Sequence, residues 1–204
     1  MLAWSVLSNL TAVVGVVWLG WPAGNIFLLF IVENVLTGFA TLIMLTRTRS
    51  KDGLSPQFFA MHYGIFTAVH TIFTALIAVM LGVEWSFLSL GVPLALLLGR
   101  FSMEIWSTMR ATAGGDVESP RAVVPVAYGR VLTLHLAIFP GMFAAIVGDP
   151  RPVGDQALGP FLGPFTLPQA VVVVLMLIKT VADVLIASYL ARAGTRDVVH
   201  LSQG

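Results

Sequence analysis

The sequence contains no cysteine, and this absence narrows the chemistry available to the chain. Without cysteine there is no disulfide, no thiolate metal ligand and no cysteine nucleophile, so a bound metal would need histidine, aspartate or glutamate. Charge is scarce as well, because only 10% of the 204 residues are charged, against about a quarter in soluble domains. The net charge is +1 and the eleven basic residues are scattered, so we expect no nucleic-acid partner.

Apolar residues dominate the chain: 57% of it is hydrophobic and the mean hydropathy is +0.92. This composition predicts an integral membrane protein whose main partner is the lipid bilayer. We find six apolar stretches of roughly the length that a membrane-spanning helix needs. They cover residues 4–19, 25–46, 57–81, 85–109, 126–147 and 166–191. We therefore predict an all-α, polytopic helical bundle that forms a single transmembrane domain over residues 1–204.

The first stretch could be mistaken for a secretory signal. It has no basic start and no small-residue cleavage pattern, so we expect it to be retained as a helix.

Basic residues predict the orientation of the six helices. Seven of them flank the ends of the second, fourth and sixth stretches, and one lies on the opposite side. The seven are Arg47, Arg49, Lys51, Arg110, Arg121, Arg192 and Arg196, and the one is Arg151. Because cytoplasmic loops carry the excess of lysine and arginine, both termini are predicted to be cytoplasmic. We expect the protein in the inner membrane of a prokaryotic cell.

Ionisable side chains inside the apolar stretches mark the candidate site. A charged group at the bilayer centre costs roughly 2.5 kcal/mol or more, so such groups face the bundle interior and usually serve a function. The candidates for acid-base catalysis are Glu33, His70, Lys179 and Asp183. The candidates for ligating a zinc-like divalent ion are His62, His70, His135, Glu33 and Asp183.

Helical spacing predicts which of these side chains can meet. Lys179 and Asp183 are four residues apart, as are Arg100 and Glu104, so each pair can form an ion pair along its own helix. His62 and His70 are roughly 12 Å apart along a helix axis, so a metal would have to combine different helices. A single membrane histidine is also commonly a packing residue, and this alternative stays open for His62 and His135.

Several short motifs resemble an uncharacterised prokaryotic family of multi-pass membrane proteins, known only as a domain of unknown function. The motifs are His62-Tyr63-Gly64-Ile65-Phe66 with His70 and Phe73, Tyr128-Gly129-Arg130 with Leu134-His135 and Gly141, Glu33-Asn34, and Lys179 with Asp183. One departure is Val32, where the family would have an aromatic residue. The resemblance covers most of the chain and supports the choice of residues, but it implies no reaction.

Three classes of function remain open at this stage. The first is an intramembrane site, either metal-binding or acid-base, and whether the chain is an enzyme stays undecided. The second is a small proton-coupled transporter, which with six helices would typically work as a homo-oligomer. The third is a non-catalytic subunit or assembly factor of a larger membrane complex, which could hold a haem or pigment through a histidine. No metalloprotease motif such as HExxH is present to favour the first.

Overall fold

The computed structural model describes residues 2–47, 55–113, 120–147 and 165–201. These residues form six helices, and the described ranges contain no β-strand. The helices are α1 (Leu2–Trp18), α2 (Ala23–Arg47), α3 (Pro56–Met80), α4 (Val92–Ala113), α5 (Pro120–Val147) and α6 (Leu167–Leu201). A π-helical turn, Phe87–Gly91, leads directly into α4. The prediction of an all-helical chain is therefore confirmed.

Four of the segments are long and apolar enough to cross a membrane. They are Ala23–Arg47, Pro56–Met80, Ala127–Val147 and Leu167–Ser188. The first and fourth predicted stretches give shorter apolar helices, Ala3–Trp18 and Phe87–Met103. Large apolar side chains also cover the outside of the bundle, such as Ile72, Val79 and Phe139, each about 70% exposed. An apolar exterior of this kind fits a lipid environment and is unfavourable in water.

Contacts between helix ends show that successive helices run in opposite directions. Gln169, at the start of α6, donates from Nε2 to the carbonyl of Val16, near the end of α1. Asn25, near the start of α2, bonds the segment that enters α4, so α2 and α4 start at the same end. Ala127, near the start of α5, packs in one cluster with Leu45, near the end of α2.

The core lies around α2, which packs against α3, α4, α5 and α6. Phe27 and Ile77 are fully buried in a cluster that joins α2, α3, α5 and α6. On the opposite side, α1 packs on α4 and α6, and its Val16 is buried with Val172 of α6.

Local chemistry explains where α3 begins and ends. Ser55 caps the helix by accepting a hydrogen bond from the amide of Phe58, and Pro56 occupies the first turn, where a missing N–H costs nothing. At the other end Gly82 has a φ of +84°, a left-handed conformation that favours glycine. The start of α2 packs tightly here, because a Cβ on Gly24 would overlap the carbonyl oxygens of Ala78 and Gly82.

The π-helical turn was not predicted from the sequence. It is held by Asn25 of α2, whose Nδ2 donates to the carbonyl of Glu84 and to Ser89 Oγ, while its Oδ1 accepts from the amide of Glu84. Pro93, inside the fourth predicted stretch, follows this turn as the second residue of α4. Proline is tolerated there because the first turn of a helix leaves its N–H groups unpaired.

Candidate functional site

Four buried ionisable side chains from three helices form one network in the bundle interior. Lys179 Nζ lies 3.0 Å from Glu33 Oε1 and 3.1 Å from Asp183 Oδ2. Arg100 Nη1 lies 3.2 Å from the same Glu33 Oε1. Each of the four residues is less than 9% exposed. Among the described residues, these two cations and two carboxylates carry no net charge when all four are ionised, which limits the cost of burying them.

A fourth helix contributes through an uncharged side chain. Asn9 of α1 donates from Nδ2 to Thr180 Oγ1 at 3.1 Å and contacts Asp183 Oδ2 at 3.4 Å. Thr180 in turn donates to the carbonyl of Met176, one turn earlier on α6. Helices α1, α2, α4 and α6 thus meet at a single polar layer.

This layer lies near the middle of each contributing helix. Asn9 is central in Leu2–Trp18, Glu33 in Ala23–Arg47, and Lys179 in the apolar part of α6. Arg100 is central in the segment formed by the π-helical turn and α4. For helices that cross a bilayer, central residues lie close to the midplane, where unpaired charge is most costly.

The predicted ion pair between Lys179 and Asp183 is confirmed, and Lys179 also binds Glu33. Arg100 was expected to pair along its own helix with Glu104, but the structure pairs it with Glu33 of α2. The side chain of Glu104 lies outside the described residues, so its own pairing is not described. Helical spacing alone could not find the cross-helix contact, because it depends on how α2 and α4 are rotated against each other.

Two small cavities border the network, with volumes of about 20 Å³ and 30 Å³. Both are lined by Phe30, Glu33 and Lys179. The first also reaches Asp183, and the second reaches Asn9. A polar cavity holds a water molecule once it offers roughly 10 to 15 Å³, so each has room for one or two waters.

His70 and His135 form a second polar pair, between α3 and α5. His70 Nε2 faces His135 Nδ1 in a direct hydrogen bond, and His70 Nδ1 lies 2.6 Å from the carbonyl oxygen of Phe66. His70 is buried, whereas His135 is exposed on the outside of the bundle. His70 makes no hydrogen bond or ion pair with Glu33, Lys179 or Asp183, so the acid-base set predicted from sequence divides between two places.

His62 occupies a third position, nearer the start of α3. Its Nδ1 lies 2.8 Å from the hydroxyl of Tyr128 on α5, and its ring stacks on Phe58. The neighbouring Tyr63 donates to the backbone carbonyl and to Oδ1 of Asn34, which binds α3 to α2. These contacts fit the packing alternative for His62.

Metal binding gains no support from the geometry. Within the described ranges, no three His, Asp or Glu side chains lie close enough together to hold a metal ion. The ligand set proposed from sequence, His62, His70, His135, Glu33 and Asp183, is spread over the three positions described above. The metal hypothesis stays a prediction.

Four described helices are long and apolar enough to span a membrane, and this indicates a membrane protein. The chain belongs to a family of unknown function, DUF6498, whose model matches residues 2–199. The match confirms the resemblance to a family of unknown function that was inferred from the motifs. No curated protein and no solved structure matches the chain.

Proposed function

We propose that this protein spans the membrane with six helices and that its charge network, Glu33, Arg100, Lys179 and Asp183, is an intramembrane acid-base centre that takes up and releases protons. The observation that carries the proposal is the position of Lys179 between two carboxylates, next to two water-sized cavities. Carboxylates in a bundle interior are common components of proton relays.

The four groups have different parts in this centre. Arginine does not lose its proton in proteins, so Arg100 supplies a fixed positive charge. Glu33 binds both cations through one oxygen and borders both cavities, which places it where a proton carried by water can reach it. Asp183 borders only the first cavity. When Glu33 takes a proton, Asp183 can keep Lys179 paired, so the centre changes charge without leaving an unpaired lysine.

The small cavities favour proton exchange over the chemistry of a larger substrate. Their volumes of about 20 Å³ and 30 Å³ fit waters, far below the roughly 300 Å³ of a typical small-molecule pocket. The proposed centre therefore moves protons, and the proposal requires no organic substrate to bind inside the described part of the bundle.

Infrared difference spectroscopy on the protein in liposomes tests this assignment directly. Acidification from mildly alkaline buffer should produce the C=O band of a protonated carboxyl group in the wild type, and Glu33→Gln should remove it. The matched control is Glu84→Gln, because Glu84 is an exposed carboxylate at the end of the bundle. If Glu33→Gln leaves the band unchanged, Glu33 is not the proton acceptor.

A double variant separates function from structure. Lys179→Met combined with Asp183→Leu removes one complete ion pair and leaves Glu33 with Arg100, so the bundle should stay folded. We expect this variant to lose proton flux into liposomes, measured with an enclosed pH-sensitive dye. If it retains full flux, Lys179 and Asp183 serve only the structure and the acid-base assignment fails for that pair.

A further inference from the structure

The pair His70 and His135 has a fixed direction of hydrogen bonding. The carbonyl oxygen of Phe66 can only accept, so His70 Nδ1 must carry a proton. When both rings are neutral, each imidazole holds one proton, which leaves His70 Nε2 as an acceptor. His135 Nδ1 must then donate to it, because two lone pairs cannot face each other. The backbone of α3 thereby fixes the tautomer of a histidine on α5.

This direction leaves His135 with an unprotonated Nε2. In the described part of the chain no group binds this nitrogen, and His135 is exposed on α5, one of the four helices long and apolar enough to cross a membrane. His135 belongs to the apolar segment Ala127–Val147. Lipid tails form no hydrogen bonds, so an unpaired polar atom inside the bilayer is costly unless a membrane-soluble ligand binds it. The site therefore calls for a hydrogen-bond donor that dissolves in the bilayer.

Aromatic rings lie beside both histidines. The ring centres of Phe139 and His135 are 6.4 Å apart. The ring of Phe66 stacks on that of His70, with 6.0 Å between their centres. Both phenylalanines face outward, being 71% and 40% exposed. Flat aromatic faces of this kind favour stacking with another ring. An aromatic ligand is thus better matched than an aliphatic alcohol.

We propose that His135 Nε2 is the binding point for the ring hydroxyl of a membrane-soluble quinol, which donates a hydrogen bond to it while its ring packs against Phe66 and Phe139. This site is separate from the acid-base centre, since His70 and His135 make no hydrogen bond or ion pair with it. A divalent metal is a poorer fit, because both nitrogens of His70 are already engaged and no third ligand is near within the described residues.

Comparing the two redox forms of one ligand provides a sharp test. A quinol donates hydrogen bonds, whereas the corresponding quinone only accepts, so an unprotonated nitrogen distinguishes them. In detergent micelles, calorimetric titration of the purified protein with a short-chain ubiquinol should give a Kd about tenfold lower than with the matching ubiquinone, as one hydrogen bond implies. His135→Phe should abolish the preference, and the matched control His62→Phe should preserve it.

Nitrogen NMR on histidine-labelled protein keeps the proposal testable should His135→Phe fail to fold. We expect the His135 Nε2 resonance of the wild type to be that of an unprotonated nitrogen and to shift when the quinol is added. Equal affinity for both forms, a preference for the quinone, or a protonated Nε2 would overturn the assignment. A haem absorbance band in protein purified from native membranes would also overturn it, because iron would then occupy the nitrogen.

Discussion

Thr74 is the exception to an otherwise complete pairing of buried polar side chains in the described ranges. It is fully buried on α3, one turn after His70, and its hydroxyl has no hydrogen-bond partner there. Thr67, two turns earlier, accepts a hydrogen bond from Asn34 Nδ2 at 3.1 Å. Among the described residues, the hydroxyl of Thr67 therefore has a hydrogen-bond partner and the hydroxyl of Thr74 has none.

We expect Thr74→Val to stabilise the protein by about 1 kcal/mol, because valine has the same shape and removes an unsatisfied hydroxyl. Thr67→Val, the matched control, should destabilise it, because it leaves the amide of Asn34 without its acceptor. Unfolding of the purified protein in detergent with increasing denaturant measures both effects. Shifts of equal sign for the two variants would contradict the difference in pairing.

Individual residues also show how far the sequence predicts the candidate site. The pair of Lys179 with Asp183 follows from spacing within one helix, which any α-helix imposes. The contacts of Arg100 with Glu33 and of His70 with His135 join different helices. Such contacts depend on the rotation and depth of each helix, and no local pattern specifies these. The sequence therefore indicated most of the participants and the pair within one helix, but not the partners on other helices.

At the scale of helices, the glycines inside the helices differ in what a side chain would meet. Gly38 of α2 and Gly141 of α5 permit close packing, since a Cβ on either would lie 2.5 to 2.6 Å from the ring of Tyr63 or Phe27. At Gly64 of α3 a Cβ would meet nothing within 4 Å. The sequence could not separate these positions, because it does not show which side of α3 faces a neighbouring helix.

Alanine substitution should distinguish the two kinds of helical glycine. Gly38→Ala places a methyl group against the ring of Tyr63, which is anchored to Asn34, and should destabilise the protein by about 1 to 3 kcal/mol. Gly64→Ala meets open space and gains helix propensity, so it should stabilise by up to about 1 kcal/mol. Thermal unfolding of both variants in the same detergent provides the comparison. Similar losses in both would mean that α3 packs differently from the structure described.

The all-helical character of the chain was predicted from its apolar stretches, and physical reasons account for the features that were not. Long apolar stretches bounded by proline, glycine or charge fix approximate ends, as at Ser55, Pro56 and Gly82. The π-helical turn before α4 depends on Asn25, distant in sequence, and so no local pattern revealed it. Because α1 is short, its length alone does not show whether it crosses a bilayer.

At the scale of the whole molecule, the polar contacts between helices lie at one depth along the bundle. Asn9 of short α1 and Arg100 of the interrupted α4 segment meet Asp183 and Glu33 at the middle of the long helices. If α2 and α6 cross the bilayer, their partners at the same depth must lie inside it too. This argument supports six spanning helices, two more than length and composition alone identify.

Aromatic residues at the two ends agree with that placement. Trp18 and Trp85 are 71% and 81% exposed at the end of the bundle where α1 finishes and α4 begins. At the opposite end Trp106 lies under the guanidinium of Arg110, 4.8 Å from the ring centre. Tryptophan concentrates at both membrane interfaces, and arginine on the cytoplasmic side. We therefore expect the end that carries Arg47 and Arg110 to be the cytoplasmic one.

Reporter fusions test this topology. Because successive helices run in opposite directions, six spans bring both termini to the side that carries the basic residues. A reporter after Gly204 should be cytoplasmic, as should one inserted at Gly114 between α4 and α5, whereas one inserted at Gly154 between α5 and α6 should lie outside. If α1 did not cross, a reporter before Met1 would lie on the opposite side from the one after Gly204. The reverse location of the Gly154 and Gly204 reporters would instead overturn the orientation while leaving the number of spans intact.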